Sequence, residues 1–186
     1  TSVFFTKRQM ATADAMVNIG RYIVDESESE SGVPLMSYTF RPVDEAKPTI
    51  QALTRQLEWF GDRLFGNPYG NMTFVETGAT GSASLAGMLV GGRNQANVGT
   101  VYWERNAALM ARQWFGAAVG VQNRGDDWLN TGLTTYLGYL YQARDQGPEI
   151  IRARLAALES AYAFGVTRDV ALSDLPGITF MPEAGW

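Results

Sequence analysis

The sequence predicts an α+β domain whose C-terminal half is rich in helices. Two observations support this class. Short runs of β-forming residues, bounded by turn residues, dominate the first half of the chain. Apolar residues at helical spacing dominate the second half. The chain has 186 residues, 46% of them hydrophobic, which is enough to bury the core of a single domain.

The N-terminal half is predicted to combine short strands with two helices. Strands are predicted over residues 3–5, 22–24, 33–40 and 71–76, and helices over residues 6–18 and 48–64. The second helix begins at Pro48, and its apolar residues recur at steps of three and four to form one stripe. The members of this stripe are Ile50, Leu53, Leu57, Phe60 and Leu64. Residues 25–32 alternate carboxylates with serines but lack the spacing of a calcium loop, so we expect a solvated hairpin tip.

The C-terminal half is predicted to contain three helices, over residues 104–116, 128–143 and 148–164. Proline at the start of the last helix and glycine after it fit the usual asymmetry of helix ends. The glycine-rich segment between the two halves lacks the Lys-Ser/Thr ending of a phosphate loop.

We divide the single domain into an N-terminal annex over residues 1–45, a core over 46–165 and an irregular tail over 166–186. The chain begins with Thr1 and has no signal peptide, so we expect a piece of a longer protein, of unknown compartment.

The composition excludes several kinds of chemistry. The chain has no histidine and no cysteine. It therefore has no histidine-dependent triad, no thiol nucleophile, and neither histidine nor thiolate as a metal ligand. The net charge of −4 argues against a nucleic-acid partner, and no apolar run is long enough to span a membrane.

Two sequence blocks carry a resemblance to a known family. Residues 112–116 read Arg-Gln-Trp-Phe-Gly, and residues 128–132 read Trp-Leu-Asn-Thr-Gly. Together they resemble the zinc aminopeptidases of the aminopeptidase N family, the gluzincins, which read His-Glu-x-x-His-Gln-Trp-Phe-Gly and then Trp-Leu-Asn-Glu-Gly. Residues 65–69 are a looser match to a Phe-Gly-x-Tyr-Pro-Tyr block, and residues 82–87 stand where the family has its substrate motif. The resemblance implies a thermolysin-like fold, with a mixed sheet packed against a bundle of helices.

The resemblance also implies that every chemical position is changed. Ala108 stands at the first zinc-binding histidine and Leu109 at the general base. Arg112 stands at the second histidine, and Thr131, 19 residues later, stands at the glutamate ligand. Ser84 aligns with the glutamate that binds the amino terminus of the substrate. Alanine offers no donor atom and arginine stays protonated, so we expect no zinc and no other cofactor.

We therefore expect a catalytically inactive, peptidase-like binding module with an unidentified peptide or protein partner. Arg112 is expected either to form an ion pair with Glu104, Asp126 or Asp127, or to bind an anionic ligand. The same three carboxylates are compatible with two other hypotheses. They could form a metal site with oxygen ligands, or they could serve a hydrolase with zinc-independent acid–base chemistry. A structural spacer in a multidomain protein is a further alternative.

The matching blocks also contain four aromatic residues. We expect these to pack the two helices against each other, because aromatic stripes usually belong to the core. They are Trp114, Phe115, Trp128 and Tyr136.

Overall fold

The structure, a computed structural model, describes residues 16–92, 102, 106–121 and 126–165. Within these ranges the chain forms five strands and four helices. In chain order they are β1 Ile23–Glu28, β2 Pro34–Thr39, α1 Val43–Arg63, β3 Met72–Thr77, β4 Ser82–Leu85, β5 Met88–Gly92, α2 Ala107–Ala111, α3 Asp127–Gln146 and α4 Glu149–Gly165. The predicted strand over residues 3–5 and the tail over 166–186 lie outside the described residues. So does most of the predicted helix over 6–18, and its last residues, 16–18, are not helical.

The five strands form one mixed sheet in the order β1-β2-β3-β5-β4. The three central strands run parallel, and the two outer strands, β1 and β4, run antiparallel to their neighbours. This arrangement confirms the predicted α+β class with a mixed sheet. The β4–β5 hairpin was not predicted, because β4 consists mainly of small residues and β5 is a short apolar run without alternation, followed by two glycines.

The acidic segment is only partly a hairpin tip. Its first half, through Glu28, belongs to β1, and the turn is confined to the residues that follow. Gly32 has φ +77° and donates its N–H to the Ser29 carbonyl at 3.0 Å. The strand continues through the carboxylates because most of them lie on the exposed side of an edge strand, where charge is tolerated.

Helix α1 begins five residues before the predicted start, so Pro48 lies inside it. Asp44 and Glu45 occupy the first turn, where acidic side chains interact favourably with the helix dipole. The Ala46 N–H donates to the Pro42 carbonyl at 3.1 Å, which fixes the earlier start. The predicted apolar stripe is confirmed, because its first four members are buried and Leu64 packs against them.

One hydrophobic core joins the sheet to three helices. Its buried residues are Leu35, Ile50, Ala52, Leu53, Leu57, Phe60, Met72, Phe74, Leu89, Ala107, Met110, Ala111, Trp114 and Tyr141. Phe60 of α1 lies between two of them, with ring centroids 5.7 Å from Trp114 and 5.9 Å from Tyr141. The core therefore holds α2 and α3 against the face of α1.

Helices α3 and α4 confirm two predicted helices, but α3 buries a different face from the one expected. Trp128 and Tyr136 are each 44% exposed, so the expectation that they pack between helices is wrong. The buried residues of α3 include Thr134, Gly138 and Tyr141 instead. Small residues on this face allow α3 to approach α2 closely, which two aromatic rings would prevent.

Helix α2 is shorter than the predicted helix over residues 104–116. After Ala111 the backbone turns, and the N–H groups of residues 117, 118 and 119 donate to carbonyls five residues earlier, at 2.9–3.1 Å. Gly116 has φ +137°, a conformation that favours glycine and does not continue an α-helix. None of the described helices is long and apolar enough to cross a membrane.

Candidate functional site between β4 and the α2–α3 pair

Gln113 connects the end of α2 to the β4–β5 hairpin. Its side chain is fully buried. Its Nε2 donates to the Ser84 hydroxyl at 2.7 Å and to the Leu85 carbonyl at 2.8 Å, and its Oε1 accepts from the Gly87 N–H at 2.9 Å. One amide therefore satisfies polar groups on both sides of the hairpin turn and fixes the turn against α2.

The next two residues of the same block contact residues 65 and 66. The Trp114 Nε1 donates to the Gly66 carbonyl at 2.6 Å. The Phe115 and Phe65 rings meet edge to face, with centroids 6.3 Å apart. The block that suggested the family resemblance thus contacts two of the other matching segments.

Ala108 of α2 packs directly against Gly138 of α3. A Cβ placed on Gly138 would come within 2.8 Å of the Ala108 backbone nitrogen and 3.2 Å of its Cβ. Real side chains do not tolerate such a distance, so glycine is required at position 138 for this packing. In the sequence this signal is only one glycine within a predicted helix, which a hydrophobic pattern does not distinguish from its neighbours.

Arg112 and Thr131 meet at the exposed end of the same helix pair. The Arg112 NH2 group donates to the Thr131 Oγ1 at 3.5 Å, the long limit for a hydrogen bond. The two positions that the resemblance aligns with zinc ligands are therefore neighbours in space. The resemblance implied that these two positions lie near each other, because their separation of 19 residues matches that of two zinc ligands in the family.

The other candidate residues are not brought together in this way. Leu109 is partly buried and packs against the hydrophobic core. Asp126 is the N-cap residue of α3, and Asp127 lies in its first turn. Neither forms an ion pair with Arg112 in the part of the chain that the structure describes. Glu104 lies outside the described residues.

The donor set at these positions does not fit zinc. It consists of a methyl group at Ala108, a guanidinium at Arg112 and a hydroxyl at Thr131. A guanidinium repels cations and cannot lose its proton in a protein. Within the described ranges, no group of three Asp, Glu, His or Cys residues could hold a metal ion.

Strand β4 borders this region as an edge of the sheet. The Gly92 N–H donates to the Gly81 carbonyl at 2.8 Å, and Ala83 pairs with Val90. In an antiparallel ladder the hydrogen-bonding direction alternates along the strand. The backbone N–H and C=O of Ser84 therefore point away from β5, on the side of β4 that has no neighbouring strand among the described residues.

These features define a mixed-sheet α+β domain with its candidate site between an edge strand and a helix pair. Among solved structures, the chain is similar to Legionella pneumophila aminopeptidase A in complex with aspartic acid, with a TM-score of 0.59 and 17% identity. The match covers 72% of this chain and 18% of the length of that one. No known protein family and no curated protein matches the sequence. At this identity the likeness concerns the fold alone, which is peptidase-like.

Proposed function

We propose that this chain is a binding module of the aminopeptidase-N-like (gluzincin) type that takes extended peptides and performs no zinc-dependent catalysis. The observation that carries the proposal is the contact between Arg112 and Thr131, at the two positions that the resemblance assigns to metal ligands. A permanent cation replaces the metal there, so a zinc-bound water has no place to form.

The edge of β4 is the surface to which a peptide would bind. An extended peptide can add a strand to an exposed sheet edge, since main-chain hydrogen bonds supply the affinity. Ser84 presents one N–H and one C=O in the required direction, and Gln113 fixes the hairpin through hydrogen bonds to the Ser84 hydroxyl and the Leu85 carbonyl. A rigid edge loses little conformational entropy when the peptide binds.

A peptide titration with two variants at one position tests this binding surface. The probe is a fluorescent, N-acetylated and C-amidated hexapeptide of alternating valine and threonine. Ser84→Pro removes the outward N–H, and Ser84→Ala loses the same hydroxyl but keeps that N–H. We expect Ser84→Pro to bind the probe about tenfold more weakly than Ser84→Ala, as the loss of a main-chain hydrogen bond predicts. Equal affinities for the two variants would place the peptide elsewhere, and no binding by the unaltered chain would overturn the proposal.

A metal analysis tests the absence of zinc chemistry. The purified chain is incubated with excess Zn²⁺, passed through a desalting column and analysed for bound metal. We expect far less than one zinc per chain, and the same peptide affinity with and without EDTA. One zinc per chain, together with loss of peptide binding in EDTA, would contradict the proposal.

A further inference from the structure

We propose that Arg112 and Thr131 form a carboxylate-binding site, which selects acidic peptides at the β4 edge. This inference rests on the proposed peptide-binding function and adds to it the chemical class of the ligand. The Arg112 side chain is exposed, and its hydrogen-bond partner is the neutral hydroxyl of Thr131.

Arg112 differs from four other arginines of the described chain. Each of those contacts a carboxylate or an aromatic ring. The contacts are Arg41 to Glu76 at 3.6 Å, Arg63 over the Trp59 ring at 4.4 Å, Arg144 to Asp145, and Arg152 to Glu149 at 3.1 Å. Arg112 has no such contact there, and a guanidinium presents five N–H donors in a planar fork that matches a carboxylate.

The backbone beneath Arg112 is held in place on both sides. The Arg112 N–H donates to the Ala108 carbonyl at 3.1 Å, and its own carbonyl accepts from the Ala117 N–H at 3.0 Å. The next residue, Gln113, is fully buried. The backbone at Arg112 is therefore already ordered, so only the side-chain torsions lose entropy when the guanidinium binds an anion.

Thr131 supplies a second donor from another helix. Its Oγ1 accepts a hydrogen bond from Arg112, which leaves the hydroxyl hydrogen available for a neighbouring acceptor. A carboxylate beside both groups would receive N–H donors from α2's end and an O–H donor from α3. Asp127, one turn before Thr131, is the nearest acidic residue along α3, so its removal should strengthen the binding of an anion.

The carboxylate-binding site is close to the β4 edge, because Arg112 is the neighbour in sequence of a residue that contacts β4. Gln113 follows Arg112 directly, and its Nε2 contacts the Ser84 hydroxyl at 2.7 Å. We therefore expect a peptide paired with Ser84 to lie near the backbone of Arg112. A single acidic group on that peptide, either a glutamate side chain or a free C-terminal carboxylate, is the ligand we infer.

Three peptides distinguish this inference from the proposed function. All share the valine–threonine hexapeptide: one is neutral and amidated, one is amidated with an internal glutamate, and one ends in a free carboxylate. We expect at least one acidic peptide to bind about tenfold more tightly than the neutral one, with the gain reduced by salt. The acidic peptide that gains affinity identifies the source of the carboxylate.

Variants then assign the gain to named residues. Arg112→Met should abolish the preference for the acidic peptide and change the affinity for the neutral peptide by no more than about twofold. Arg112→Lys keeps the positive charge but loses the planar fork of donors, so it should retain part of the preference. Thr131→Val should reduce it and Asp127→Asn increase it. Arg152→Met, on exposed α4, is the control and should change nothing. Equal binding of neutral and acidic peptides overturns this inference alone, as does a preference that survives Arg112→Met, whereas failure of every peptide to bind overturns the proposed function.

Discussion

Gln113 shows at the residue scale how one buried amide determines the position of a whole hairpin. Its hydrogen bonds reach the Ser84 hydroxyl, the Leu85 carbonyl and the Gly87 N–H. Backbone groups in this partly buried turn need such partners, because a buried group left unsatisfied costs about 1–3 kcal/mol. The identity of this residue is therefore constrained by the hairpin as much as by α2.

Replacing Gln113 by leucine should destabilise the chain by about 2–4 kcal/mol, because the Leu85 and Gly87 backbone groups lose their partner. Ser84→Ala, which removes only one of the hydrogen bonds, should cost about 1 kcal/mol. Chemical denaturation of both variants beside the unaltered chain measures the difference. Equal losses would mean that water replaces the amide at the turn.

The resemblance aligned Arg112 and Thr131 with two ligands of one metal, but residue type did not indicate the environment of every aromatic residue. Trp114 is fully buried, as expected, whereas Trp128 and Tyr136 are half exposed. Helical spacing indicates which residues share a face, but it does not indicate whether that face meets the core. The face of α3 that packs against α2 contains Gly138, where the absence of a side chain leaves room for Ala108. A hydrophobic pattern does not register a residue that has no side chain.

At the scale of elements, the packing of α2 on α3 depends on the absence of a side chain at position 138. The Ala108 backbone and methyl group fill the space that a Cβ would occupy. Overpacking of this kind typically costs about 1–3 kcal/mol, while alanine gains about 0.5–1 kcal/mol over glycine in a helix interior. The steric cost is the larger of the two.

Gly138→Ala should therefore lower the free energy of unfolding by about 1–2 kcal/mol. Gly132→Ala on the same helix is the matched control, because a Cβ there meets nothing within 4 Å. It should stabilise the chain by about 0.5–1 kcal/mol through helix propensity alone. Thermal unfolding of the two variants should thus shift in opposite directions, and stabilisation by both would show that α2 can move away from α3.

Apolar spacing predicted the positions of most described helices. The errors concern where the helices begin and end and the β4–β5 hairpin, which depend on backbone turns. The apolar stripe correctly predicted α1, but the predicted start at Pro48 lies five residues after the observed start at Val43. Proline is favoured at the first position of a helix, but Pro48 is the sixth residue of α1, so a proline marks a helix start only loosely. Helix α2 ends early because the chain turns before Gly116. The strands of the β4–β5 hairpin are too short, and β4 has too many small residues, to show an apolar alternation.

At the scale of the molecule, the sheet order was not available from any local pattern. The insertion of β5 between β3 and β4 brings the β4–β5 turn next to α2, where Gln113 holds it. The resemblance implied a mixed sheet beside a helix pair, and it implied that α2 and α3 meet, because both helices carry ligands of one metal in the family. Hydrophobic periodicity alone predicts elements without saying which of them become neighbours.

The distribution of burial over the whole molecule predicts an uneven local stability. Helix α1 contributes eight buried residues to the interior, whereas no residue of α4 through position 164 is buried. Leu155 and Tyr162 of α4 are 48% and 54% exposed. Segments with few buried contacts open at a lower free energy than the rest of the domain.

Hydrogen exchange followed by mass spectrometry should therefore show α4 as the least protected of the three long helices, and α1 as the most protected. Peptides covering residues 149–164 should exchange at least tenfold faster than those covering residues 50–60, which corresponds to a difference of about 1.4 kcal/mol in the free energy of local opening. The double variant Leu155→Gln, Tyr162→Gln should leave the overall unfolding midpoint nearly unchanged, because substitutions at exposed positions rarely exceed about 0.5 kcal/mol each. Protection of α4 equal to that of α1, or a large loss of stability in the double variant, would mean that another surface covers α4 in solution.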